Sequence, residues 1–149
     1  MKFKFAFETL LKHLKRIEEE RQCDYSQAKL AVEQTLDRIN QMYQSLEKTR
    51  KEIQQIQSKG GTDIGQIRQR EEYIDGLKIK IEADRQVARE LMTVAEEKRK
   101  ILLEALKEFK SLEKLKKRKY QQYRREVKKK ELKSIDEIVT MRHKRGALG

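Results

Sequence analysis

The chain has 149 residues, of which 42% are charged and 36% hydrophobic, with no Pro, no Trp and a formal net charge of +12. Ordinary soluble domains run at about 25% charged and about 45–50% apolar, so a compact globule with a sizeable core is excluded. Residues 1–109 hold 22 bases and 20 acids while residues 110–149 hold 15 bases and 5 acids, which calls for an acidic partner at the C-terminal end.

The opening MKFKFAFETLLKHLK is interrupted by Glu8 and Lys12 and lacks the apolar stretch of a signal peptide. From residue 4 to residue 58 the sequence predicts one long helix, with apolar residues recurring every three or four positions. Leu10, Leu14 and Ile17 begin this ladder, and Tyr25, Ala28, Val32, Thr35, Ile39, Met42, Leu46, Thr49, Ile53 and Ile56 continue it. The join through Arg21 takes two successive steps of four, a stutter that relaxes a supercoil locally. Cys23 is the lone cysteine. It gives no disulfide framework, suits a reducing compartment and reads as an inert thiol on a helix face.

Residues 59–65, KGGTDIG, hold three of the six glycines and form the strong chain-breaking cluster of the sequence. The turn is predicted at 59–63, with Thr62 or Asp63 as the cap of the next helix. With no proline to interrupt it, the second helix is predicted over 63–142. Steps of three and four from Ile67 to Leu112 meet fourteen positions, eleven of them apolar, with Arg70, Asp84 and Lys98 as the interruptions. Six heptads of such a seam exclude simple disorder. Gly76 lies off the ladder and costs about 1 kcal/mol relative to Ala. Residues 143–149, ending in GALG, are expected to fray.

An apolar seam left in water aggregates, so each ladder needs a partner, and the nearest is the other helix folded back through the glycines. The expected fold is all-α: one domain over residues 1–149, a long antiparallel two-stranded α-helical coiled-coil hairpin whose second helix is the longer. At 1.5 Å per residue the helices reach about 80 Å and about 120 Å. With the turn centred near residues 60–61, opposed residue numbers add to about 121, and everything past Lys116 is expected to overhang. That overhang contains KLKKRKYQQYRREVKKK, residues 114–130, with ten bases against the single acid Glu126.

Catalytic and metal chemistry find no footing. Gly60 and Gly65 stand at phosphate-loop spacing, but Gln66 and Ile67 occupy the places where such a loop needs Lys and Ser or Thr. His13 and His143 lie near opposite chain ends, without a ligand cluster around either. A two-helix rod offers no cavity in which to shift a carboxylate, so neither catalysis nor a cofactor is expected. No apolar run approaches the roughly 18 residues that span a bilayer, and the expected place is the cytoplasm. Three partners suit the basic run. Nucleic acid would use the bases and the interleaved Tyr120 and Tyr123, although no zipper, zinc or RNP signature accompanies them. An anionic membrane would use the same charge with Phe3, Phe5 and Phe7. A protein-docking end is the favoured reading.

The stretches KFKFAFETLLKHLKRIEEER and KKRKYQQYRREVKKKELKSIDEI resemble the FliJ family of flagellar export proteins. The resemblance extends over nearly the whole chain: an F-x-F-x(2)-LL opening, a short glycine turn and a longer basic second helix ending in "DEI". It implies a non-enzymatic part of the bacterial flagellar type III export apparatus, at the cytoplasmic face of the membrane, built like the central stalk of a rotary ATPase. It further implies three partners: the hexameric export ATPase FliI, the export gate protein FlhA and export chaperones. By this resemblance Phe3, Phe5, Phe7, Leu10 and Leu11 would give apolar contact to the ATPase ring. Lys116, Lys117, Arg118, Lys119, Arg124 and Arg125 would meet acidic ring loops, with Tyr120 and Tyr123 beside them. Tyr43, Tyr73 and Leu77 would face the gate. A stalk subunit of another rotary ATPase and a basic coiled coil that binds nucleic acid stand as the alternatives.

Overall fold

The computed structural model describes residues 2–60 and 63–148, the side chains of residues 147 and 148 excepted. Among the described residues it contains two helices, α1 (Glu8–Ser58, 51 residues) and α2 (Ile64–Leu148, 85 residues), packed against each other as a helical hairpin. They contribute to two compact units. The turn unit is Glu19–Leu103, and the terminal unit is Met1–Glu18 with Glu104–Gly149.

The second ladder reads as expected. All fourteen positions from Ile67 to Leu112 are buried or half-buried. In the turn unit Ile39, Leu46, Ile74, Leu77, Ile81 and Ala88 form the core, with Met42 and Ile53 packed against it. Arg70 and Asp84, two of the three polar interruptions, each find a cross-helix partner: Arg70 Nε lies 3.2 Å from Glu52 and Arg38 Nε lies 3.5 Å from Asp84. Exposed ion pairs of this kind contribute little stability, about 0–1 kcal/mol, but a slipped register would leave half-buried charges facing apolar side chains. In the turn unit these opposed numbers add to 122. In the terminal unit the pairs Glu8–Lys116 and Lys15–Phe109 add to 124, close to the expected 121.

The first ladder corrects the reading of its start. Leu11 is 9% exposed while Leu10 is 44% exposed, and Glu18 at 6% is more deeply placed than the half-buried Ile17. The seam therefore runs through buried Leu11 and Glu18 with half-buried Leu14, Arg21 and Tyr25, and continues into half-buried Ala28 and Val32 in alternating steps of three and four without a stutter. Glu18 holds a seam position because its aliphatic stem packs inward while its carboxylate meets Lys15 Nζ at 3.4 Å. The same ammonium sits 5.1 Å from the Phe109 ring centroid, a favourable place for a cation. Thr35 and Thr49 hold seam positions by another device: each hydroxyl donates back to the carbonyl four residues earlier, at 2.9 and 2.8 Å. That satisfies the buried oxygen and leaves the methyl to pack.

Helix boundaries also differ from expectation. α1 starts at Glu8 rather than residue 4, because residues 2–5 take no helical conformation and the Glu8 amide donates to the Phe5 carbonyl at 3.2 Å. α2 continues through Leu148, past the expected end at 142, and Gly149 lies outside the described residues. At the turn Asp63 is the cap, its Oδ1 accepting from the Gln66 amide at 3.2 Å, while Thr62, the other candidate, lies outside the described residues. Gly60 ends α1 with φ +70° and no atom within 4 Å of where a Cβ would stand. Gly60→Ala therefore meets no clash and carries only the left-handed backbone cost. Thermal melts should show a loss of about 1–2 kcal/mol, and an unchanged melting temperature would show that this turn geometry is not required.

Candidate docking end

The net charge is confined to one unit. The terminal unit holds 21 bases and 9 acids, so +12, and the turn unit holds 16 bases and 16 acids, so zero. Lysines and arginines on an exposed helix face repel one another, and an acidic surface placed against them removes that cost. Lys117, Arg118, Lys119, Arg124 and Arg125 are all exposed. Lys116 differs from its neighbours: it is half-buried, and its Nζ lies 2.8 Å from Glu8 Oε2. That contact ties the first turn of α1 to α2.

The N-terminal phenylalanines converge on the same end. The alternation Lys2, Phe3, Lys4, Phe5 has the two-residue period of extended chain. Residues 2–5 lie outside α1, and the register in which opposed numbers add to 124 carries them alongside Lys119–Glu126 of α2. Phe3 lies edge-on to Tyr120 at 5.3 Å between centroids and tilted against Tyr123 at 5.5 Å. Phe5 and Phe7 pair edge-to-face at 5.8 Å. Together with Lys119, Gln122, Tyr123 and Glu126 this segment lines a shallow groove. The expectation that α2 lacks a partner past Lys116 is thus corrected: the non-helical segment accompanies it to about Glu126. From Lys128 through Gly146 every residue is exposed.

Among the expected ring contacts, Phe7, Leu10 and Tyr120 are substantially exposed, Phe3, Phe5 and Tyr123 are half-buried, and Leu11 belongs to the seam. A further surface went unread in the sequence. Leu132, Ile135, Ile138, Val139 and Met141 are all exposed on the last part of α2, and their spacing of three, three, one and two was the available signal. Of the expected gate contacts, Tyr43 and Tyr73 are exposed but line different grooves, Tyr43 with Arg50, Lys78 and Arg85, and Tyr73 with Ser45, Glu52 and Arg70. The Arg85 guanidinium lies 5.9 Å from the Tyr43 ring centroid. Leu77 is buried in the core at 7% exposure.

Elsewhere, the Glu96 carboxyl is held below its ordinary value, first by hydrogen bonds from Arg99 at 2.9 and 2.8 Å, on an exposed face. Among the described residues no group of His, Cys, Asp and Glu could hold a metal ion, and no helix is long and apolar enough to cross a membrane. Cys23 is exposed and free.

Compared with known families, residues 3–148 match the family described as flagellar FliJ protein. No curated protein and no solved structure matches. The matched span takes in both helices, the glycine turn and the aromatic, cationic end, and on that coverage the chain belongs to the flagellar FliJ protein family.

Proposed function

We propose that this chain, a flagellar export component by its family, docks its terminal unit in the ring of the export ATPase FliI as a central stalk does in a rotary ATPase. The observation that carries the reading is the segregation of charge, +12 on the terminal unit and zero on the turn unit. In this reading Lys117, Arg118, Lys119, Arg124 and Arg125 meet acidic ring loops. Phe3, Phe5, Phe7, Leu10, Tyr120 and Tyr123 supply apolar contact, while Leu11 and Lys116 fix the end that presents them. The chain contributes no chemistry of its own and promotes the activity of its partner by occupying the ring. Tyr43 and Tyr73 are the exposed aromatic side chains for the gate protein FlhA, above a seam set by Leu77, and export chaperones are further partners at the cytoplasmic membrane face.

Titrating purified FliI with this protein and following phosphate release tests the reading. A saturable increase in turnover is expected. Unchanged turnover across the titration overturns it, and tight salt-sensitive binding to duplex or single-stranded nucleic acid would put the basic-coil alternative in its place.

A further inference from the structure

We propose that Lys2–Phe7 is a releasable strap: in the free chain Phe3 closes over Tyr120 and Tyr123, and it lifts away when the ATPase ring takes that face. This rests on the docking reading and adds its regulation.

The argument starts from a conflict among the docking residues. A tyrosine ring has two faces and an edge, and Phe3 already lies against both rings, at 5.3 Å and 5.5 Å. Phe3, Tyr120 and Tyr123 therefore cannot give these same surfaces to a partner while they give them to one another. Closure and docking compete for one apolar patch.

The strap is built to yield. Residues 2–5 lie outside α1, and among the described residues the first backbone hydrogen bonds of this end are those accepted by the carbonyls of Phe5 and Phe7. Ala6 and Phe7 form a turn, a natural hinge, and the Glu8–Lys116 contact at 2.8 Å holds the helix behind it in place when the strap moves. Short terminal segments fastened by side chains alone sit at the low-stability end of a fold. Two aromatic pairs together shift an equilibrium by roughly 5- to 150-fold. The strap is thus closed most of the time and opens often enough to be displaced. Its removal joins Tyr120 and Tyr123 to the half-buried Val127 and the exposed Ile135 and Ile138 farther along α2, which lengthens the apolar face offered to the ring. A partner that binds the open form sees its affinity reduced by the fraction open. The strap therefore also covers these rings against unintended contacts before assembly.

Two experiments test this. In a Cys23→Ser background, Lys4→Cys and Gln122→Cys place thiols on the two sides of the groove, and a short bismaleimide bridges them. The bridged protein should bind FliI at least tenfold more weakly than the same protein unbridged. Equal binding of bridged and unbridged protein overturns the strap and leaves the docking reading standing. The second experiment needs no ATPase. Nitration of Tyr120 and Tyr123 by tetranitromethane should run several-fold faster in Phe3→Ala than in the intact chain, and equal rates overturn the strap directly. If the intact, unbridged chain fails to bind FliI at all, the docking reading falls and takes the proposed release step with it.

Discussion

Leu46→Asp is expected to abolish cooperative melting of the turn unit. Leu46 is 5% exposed and stands in the core with Ile39, Ile74, Leu77, Ile81 and Ala88. Truncating a buried leucine to alanine costs about 2–5 kcal/mol. An unpaired carboxylate in the same space adds the penalty of a charge withdrawn from water, which in a folded protein amounts to several kcal/mol after relaxation. Against a total stability of about 5–15 kcal/mol this is enough to unfold the unit at room temperature, and circular dichroism should show the helical signal falling without a sharp transition. Leu36→Asp, at an exposed leucine of the same helix, should move the melt by no more than about 0.5 kcal/mol. The comparison removes helix propensity as an explanation, since both variants place one aspartate in α1. Leu77→Ala extends the test to a residue expected to face the gate. As a core residue it should lose about 2–5 kcal/mol. An unchanged melt with impaired gate binding would return it to the surface role.

The seam of the second helix was legible because nearly every position that needed an apolar side chain has one, and geometry and hydropathy point to the same residues. The start of the first helix was misread where they diverge. Leu10 and Leu11 are equally apolar, so hydropathy does not choose between them. At Ile17 and Glu18 hydropathy chooses the isoleucine, although the continuous three-four rhythm from Leu11 requires position 18. A glutamate can stand there because Lys15 serves both its carboxylate, at 3.4 Å, and the Phe109 ring, a three-way arrangement that no single-helix pattern contains. The basic end was legible as charge and not as geometry. Residues 2–5 lie outside α1 and continue along α2 in the register of the terminal unit, where opposed numbers add to 124 rather than the expected 121. That shift of about one turn carries Phe3 to Tyr120 and Tyr123 and covers the expected overhang only as far as about Glu126. The exposed stripe from Leu132 to Met141 escaped because its charged neighbours, Lys133, Asp136, Glu137 and Arg142, read as a solvated helix.

Reversing three charges, Lys117→Glu, Arg118→Glu and Lys119→Glu together, is expected to lower the apparent affinity for FliI by two orders of magnitude or more. The terminal unit falls from +12 to +6, since each substitution changes the charge by two. Electrostatic steering alone raises association rates by about 10- to 1000-fold when opposite potentials face each other, and like charges set against each other at the contact add a penalty of several kcal/mol. Lys116 is left in place because its bond to Glu8 belongs to the fold, and reversing it would confuse loss of docking with loss of the helix start. Glutamate and lysine differ little in helix propensity, so the helical signal and the melt should be preserved. The matched control reverses three exposed bases of the neutral unit, Lys51, Lys59 and Arg68, and should stimulate the ATPase as the unaltered chain does. Salt supplies the second axis. At ~1 M ionic strength the Debye length falls to about 3 Å, and the gap between the unaltered and reversed proteins should narrow as the loss of steering is screened from both. If reversal at 117–119 leaves stimulation intact at low salt, or if the control weakens it equally, the basic end is not the docking end, and the charge segregation that singles it out serves some other surface.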